Sequence, residues 1–226
     1  MPVFMLGIQS LSGRTLFFRE AWILMRPAAL QSVKLALSGT LLLTSVGLWT
    51  AYAKDRMGNR LPNVLLLLTF IVPSTVLGIA LIRYYNLSAM NFIYGTTAIL
   101  LLAYLGKFGF IASRIIGNGI RQIPVSLEES ALVMGIPSWK IFVKINLPLL
   151  VPSLFAAFVL SFILSLGELG VTMLVYPPGM ELMPVKTFTI SANAPEALTS
   201  SMTLINLGVT IALIALFFVA GKWLLW

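Results

Sequence analysis

Five stretches of this chain run for at least 19 residues without a single Asp, Glu, Lys or Arg. They cover residues 35–53, 61–82, 84–106, 145–167 and 197–221, with lengths of 19, 22, 23, 23 and 25. About 20 apolar residues in helical conformation cross the hydrocarbon core of a bilayer. Lipid offers no partner for a bare backbone N–H or C=O, so a spanning segment closes its bonds internally, as a helix. A membrane barrel would show alternating segments of about ten residues instead, and the chain has none. The predicted fold is all-α, a polytopic transmembrane helical bundle with about five spans.

Several chemistries are excluded at once. Cysteine and histidine are absent, which removes disulfides, zinc sites and thiol or imidazole catalysis. A phosphate-cradling loop needs G-x-x-x-x-G-K-[ST]. Gly106-Lys107 and Gly221-Lys222 lack both the preceding glycine and the hydroxyl residue. No metal, cofactor or ATP hydrolysis is therefore expected of this chain. The net charge of +8 is read as basic residues gathered at cytoplasmic helix ends, not as a nucleic-acid surface.

Those basic residues set the orientation. Connector 54–60 carries Lys54, Arg56 and Arg60, and connector 107–148 carries Lys107, Arg114, Arg121, Lys140 and Lys144. The opposite side has Arg83 and Lys186. Both connectors and the C-terminus, with Lys222, Trp223 and Trp226, are predicted cytoplasmic. Segment 1–34, with Arg14, Arg19, Arg26 and Lys34 among aromatics, is predicted to lie outside or in the interface as an amphipathic helix. It shows no basic n-region of a signal peptide. The bundle proper is placed at 35–226, with the fourth span extended to 175. Pro73, Pro152, Gly47, Gly78 and Gly95 fall inside the apolar runs, as packing positions or as hinges.

The 107–148 connector has a local design. Ser126 is three residues before Glu129, the spacing of a capping box. Glu128 and Glu129 then fall in a first turn, where the helix dipole favours negative charge. Gly135 suits a left-handed stop, and Pro137 prevents continuation. Ser138 is expected to open a second short helix holding Trp139, Ile141, Phe142 and Ile145, before Leu147-Pro148 leads into the membrane. Leu127, Ala131 and Met134 are expected to share one face.

This stretch resembles the signature loop of permease subunits from type I ATP-binding-cassette importers. That pattern is Glu-Ala-Ala, three residues, Gly, nine residues, an aliphatic residue, a spacer, then Leu-Pro. Here it reads Glu129-Ser130-Ala131, Gly135, Ile145, Leu147-Pro148, with Ser130 and Met134 departing from the commoner residues. The resemblance implies a coupling helix that docks in a groove of a cytoplasmic ATPase. Glu129, Ala131 and Gly135 would make that contact, with Glu128 beside them, and Trp139 and Phe142 would anchor the second helix to the bundle.

Residues 165–179, SLGELGVTMLVYPPG, and 182–190, LMPVKTFTI, resemble the ferric-iron-type permeases, and less closely the molybdate/sulfate and thiamine groups. The chain looks like a C-terminal half or a stand-alone equivalent. Glu168, flanked by Gly167 and Gly170, is expected at membrane depth. An ionisable group there either lines a pathway or gate, or is hydrogen-bonded for packing. One carboxylate without further ligands is a poor metal site. The Tyr176–Gly179 turn is expected outside, as part of a gate, a docking surface or a rigid loop.

The resemblance implies a permease of an ATP-driven importer for ferric iron or another small inorganic ion. Its partners would be a pair of ATPase subunits, a second permease unit or half, an external solute-binding protein and the bilayer. The same role for thiamine, phosphonate or molybdate/sulfate is the alternative. A gradient-driven transporter or channel is the competing class, and it calls for intramembrane charge pairs.

Overall fold

A computed structural model of the chain describes residues 16–87, 90 and 92–225. Arg14, Trp226 and the side chain of Trp223, singled out above, lie outside that description.

The first helix, α1 (Leu16–Asp55), has 40 residues and is about 60 Å long, twice the hydrocarbon thickness. Ala21, Met25, Ala28, Ser32, Leu35, Ala36, Thr40, Leu43, Thr50 and Ala51 are buried. They recur at alternating three- and four-residue steps, which makes one stripe. Most are small. In lipid the hydrophobic effect does not drive helices together, so close backbone approach and interhelical hydrogen bonds do. The expected boundary at residue 34 is absent, because this stripe continues without a break from 21 to 51. Arg19, Arg26 and Lys34 sit on the opposite, exposed face.

The run 61–82 forms two helices, α2 (Leu61–Ile71) and α3 (Ser74–Tyr85), bent by 111°. Val72 and Pro73 are both extended, at ψ 129° and 144°. A proline pushes its predecessor out of helical conformation, so Pro73 is a hinge point. The run 84–106 does not form the expected span. Among the described residues, 86, 87, 90 and 92–96 are turns and bends, Gly95 takes φ +75°, and Thr96 caps a new helix by accepting from the Ala98 N–H at 3.3 Å. That helix, α4 (Thr97–Gln122), is 26 residues long. It absorbs Lys107, Arg114 and Arg121, which were expected in the connector.

Next come α5 (Val125–Val133), α6 (Ser138–Ile141), a π turn (Phe142–Asn146) and α7 (Leu147–Gly167). The last three form one continuous rod. On the outer side lie α8 (Thr172–Val175) and α9 (Met183–Ser191), followed by α10 (Glu196–Leu225). Among the described residues, four helices are long and apolar enough to span, or five with the bent pair. The fourth span stops at Gly167 rather than 175.

Helix α4 is central, packed on α1, α7, α2 and α3. At Gly47 of α1, an added Cβ would lie 3.0 Å from both the Ala112 Cβ and the Ser113 backbone N. Nearby, Thr50 Oγ1 donates to Ser113 Oγ (2.9 Å) and Asn63 Nδ2 donates to the same oxygen (2.8 Å), tying three helices. On the outer side, Gln31 Oε1 accepts from the Glu181 N–H and Ser32 Oγ from the Met183 N–H. These bonds fasten the start of α9 to α1.

Gly47→Ala should cost about 1–3 kcal/mol, because backbone atoms cannot step aside. A melting curve in detergent should show a lowered midpoint. Gly208→Ala, facing open space, should leave it unchanged.

Candidate functional site

The elbow between α4 and α7 is built from two proline breaks. Pro124, with φ −60° and ψ 132°, ends α4 and serves as the N-cap residue of α5 without a side-chain cap bond. The expected Ser126–Glu129 capping box does not form, because the helix starts two residues earlier than that box requires, at Val125. Ser126 lies inside the first turn, and its carbonyl accepts from Ser130 Oγ.

The other end of α5 is the expected glycine stop. Gly135 has φ +78°, a region that other residues enter only at a cost. Its N–H donates to the Leu132 carbonyl at 2.9 Å, and the Ile136 N–H donates to the Ala131 carbonyl at 3.1 Å. This pair of bonds is the Schellman motif, which satisfies the last carbonyls of the helix. Helix α6 opens at Ser138 as expected, with Pro137 as its N-cap residue.

The rod from α6 to α7 does not break at Leu147-Pro148. Proline has no N–H, and its ring displaces the carbonyl four residues back. The helix widens instead, and the Leu147 N–H donates to the Phe142 carbonyl in a π turn. Phe142 packs edge-on against Tyr52 of α1 at 5.1 Å. Trp139, expected against the bundle, is 64% exposed, with the Lys140 ammonium over its ring. Leu147 is half-buried and Pro148 exposed.

The two adjacent glutamates point apart. Glu129 is exposed. Glu128 Oε1 accepts from Arg56 Nε at 2.7 Å, with both side chains nearly buried (14% and 11% exposed). Through Nη2 the same guanidinium donates to the carbonyls of Ile120 (3.2 Å) and Ile123 (2.8 Å). Arg56 follows α1 directly, and its carbonyl partners lie at the end of α4. In the sequence Arg56 stands out only as a basic residue of the inner face. Ala131 is buried at 2% exposure, while Val133 and Met134 reach 89% and 71%. The expected Leu127–Ala131–Met134 face is thus not one surface: Ala131 faces in, and the other two face out. The outward tip consists of Glu129, Leu132, Val133, Met134 and Gly135.

Glu168 is neither mid-helix nor bonded to a neighbouring helix. It ends α7 in extended conformation, and its Oε1 accepts from the Val171 N–H at 2.9 Å. It caps the turn into α8. Gly170 is required by approach: a Cβ there would lie 2.9 Å from the Ser74 Cβ, at the start of α3. Gly167 faces open space. Among the described residues, no three acidic side chains cluster as metal ligands do.

Residues 43–225 match the family described as binding-protein-dependent transport system inner membrane component. A protein of Salmonella choleraesuis named as the 2-aminoethylphosphonate transport system permease protein PhnV is 27% identical over 200 residues, 87% of this chain and 75% of that one. A Haemophilus influenzae protein named as the ferric transport system permease protein FbpB 1 is 37% identical over 120 residues, 52% of this chain and 19% of that one. The fold matches a crystal structure of a bacterial ABC transporter involved in the import of the acidic polysaccharide alginate. Its TM-score is 0.77 at 15% identity, covering 96% of this chain and 88% of that one.

Gly135→Ala should leave the helices intact and loosen the α5 stop. A left-handed residue with a Cβ costs about 1 kcal/mol. Amide exchange at residues 135 and 136 should quicken roughly fivefold.

Proposed function

The chain belongs to the binding-protein-dependent transport system inner membrane component family, the permeases of ABC importers, and we propose that it takes its energy from a separate ATPase through the α5 elbow. One observation carries this reading: a helix capped at both ends by backbone geometry holds an apolar tip clear of the bundle. Leu132, Val133 and Met134 are exposed there, beside an exposed Glu129. A tip of this kind suits a groove on a cytoplasmic partner, because its shape is fixed before docking. ATP binding by two such partners would draw two permease units together at their inner ends. The rods from α6 to α7 would carry that movement to the outer side, where an external binding protein delivers solute. Hydrolysis would reset the cycle.

The solute is a small ion. The notable residues at 165–190 favour the ferric reading, while the longer alignment is to a phosphonate permease. Uptake into liposomes bearing the assembled transporter should therefore be tested with both ferric ion and 2-aminoethylphosphonate. Only one should accumulate with ATP hydrolysis.

Gly135→Trp and Glu129→Lys should each abolish co-purification of the ATPase and lower uptake at least tenfold, the loss of about 1.4 kcal/mol of interface energy or more. Unchanged binding and uptake in both would overturn the coupling reading.

Glu168→Gln keeps a carbonyl acceptor for the Val171 N–H and removes only the charge. If Glu168 belongs to the gate, uptake should fall several-fold while membrane expression stays normal. Normal uptake with poor expression would assign it to packing.

A further inference from the structure

We infer that Arg56 is a positioning residue for energy coupling: its guanidinium locks α5 to the inner ends of α1 and α4, so that the three move as one body. The inference rests on the coupling reading above and goes beyond it by naming the joint that transmits the movement.

The need for a joint follows from the backbone. Between α4 and α5 lie Ile123 and Pro124, both extended, with ψ 116° and 132°. Two extended residues between helices are a hinge unless something bridges them. A push on the tip would then swing α5 about Pro124 and be absorbed there. Arg56 bridges this hinge from a third element. One Nη2 group holds Ile120 O, on the α4 side of the hinge, and Ile123 O, within it, while Nε holds Glu128, on the α5 side.

The donor chemistry suits this task. Guanidinium presents its N–H groups in a rigid planar fork, whereas an ammonium is a point charge on a flexible stem. Carbonyls at a helix C-terminus carry partial negative charge, so a cation is favoured there, even at Ile120 O, which also accepts from the Ile123 N–H at 3.2 Å. The pair is nearly buried, 11% and 14% exposed, which protects it from the screening that weakens surface pairs. The adjoining helix ends pack together as well: Ala51 of α1 shares one buried cluster with Ile116 and Ile120 of α4. The ends of α1 and α4 are thus already one unit, and Arg56 adds α5 to it.

The absence of cysteine permits a direct test with paired spin labels. Trp49→Cys on α1 and Leu127→Cys on α5 are both exposed positions. The full chain carrying both labels is measured alone, and again in complex with its ATPase in the nucleotide-free and ATP–vanadate states. A clasp gives one narrow distance distribution, unchanged across these states. Arg56→Gln should broaden it already in the chain alone. In the complex, the same variant should let the distance shift with nucleotide, as α5 swings without α1. Arg56→Lys, which keeps the charge but not the fork, should fall between. Glu128→Gln combined with Arg56→Gln should be no worse than Arg56→Gln alone, as for two halves of one interaction. A narrow distribution that survives Arg56→Gln overturns the proposal, as does a wild-type distribution that is broad or shifts with nucleotide. If Arg56→Gln merely weakens the fold, the melting midpoint falls and labels placed on α1 and α4 separate too, which also overturns it. Failure of the wild-type chain to bind an ATPase would count against the coupling reading alone, since the clasp is read in the isolated chain.

Discussion

A backbone carbonyl or N–H set free inside an apolar medium has to find a partner, and each one left unmade costs several kcal/mol. The spans themselves meet this requirement by being helical. Several helices, however, stop, bend or turn near the ends of the spans. Each such place frees backbone groups, and a long polar side chain is found at several of them. Lys107 donates to the Val72 carbonyl at the bend between α2 and α3. Arg56 takes the last carbonyls of α4. Glu168 takes the Val171 N–H where α7 ends. In a chain with only 10% charged residues, these charges act as joints in the backbone rather than as surface decoration.

A second constraint follows from the first. Because lipid is as apolar as a leucine side chain, burial of apolar surface cannot hold the helices together. The bundle is held by approach and by hydroxyl hydrogen bonds. Gly47 against Ala112, and the Thr50–Ser113–Asn63 set, place α1, α2 and α4 in register. That register fixes where Arg56 leaves α1. The clasp at the inner face is therefore a consequence of small residues two turns further into the membrane.

The helical class, the inner-face elbow and the Gly135 stop were legible in the sequence, because each rests on local chemistry: unbroken apolarity, or a glycine that tolerates positive φ. Other features were not. A search for charge-free runs ends at Lys107, although the helix continues for another fifteen residues to Gln122. Such a search cannot know that Val72 O awaits the ammonium. For the same reason the turns at 92–96 were hidden inside an apolar run. The capping box failed because Pro124 decides where α5 begins, and a fixed φ outweighs a favourable hydroxyl. Arg56 was invisible as a site residue, since its partners are 64 to 72 positions away and no spacing rule reaches that far.

The adjacent glutamates show how one helical step divides two tasks. Successive residues on an α-helix are rotated by about 100°, so Glu128 and Glu129 cannot face the same way. Glu128 turns inward and finds Arg56; Glu129 stays in water beside the apolar tip. Ala131 follows the inward direction, and its small side chain lets α5 lie close to the bundle. A helix of nine residues is too short to be stable by propensity alone. Its inward residues hold it, which leaves its outward residues free to be shaped for a partner. Under the proposed coupling role, docking and transmission would fall to different side chains of the same short element, and either could be changed without removing the other.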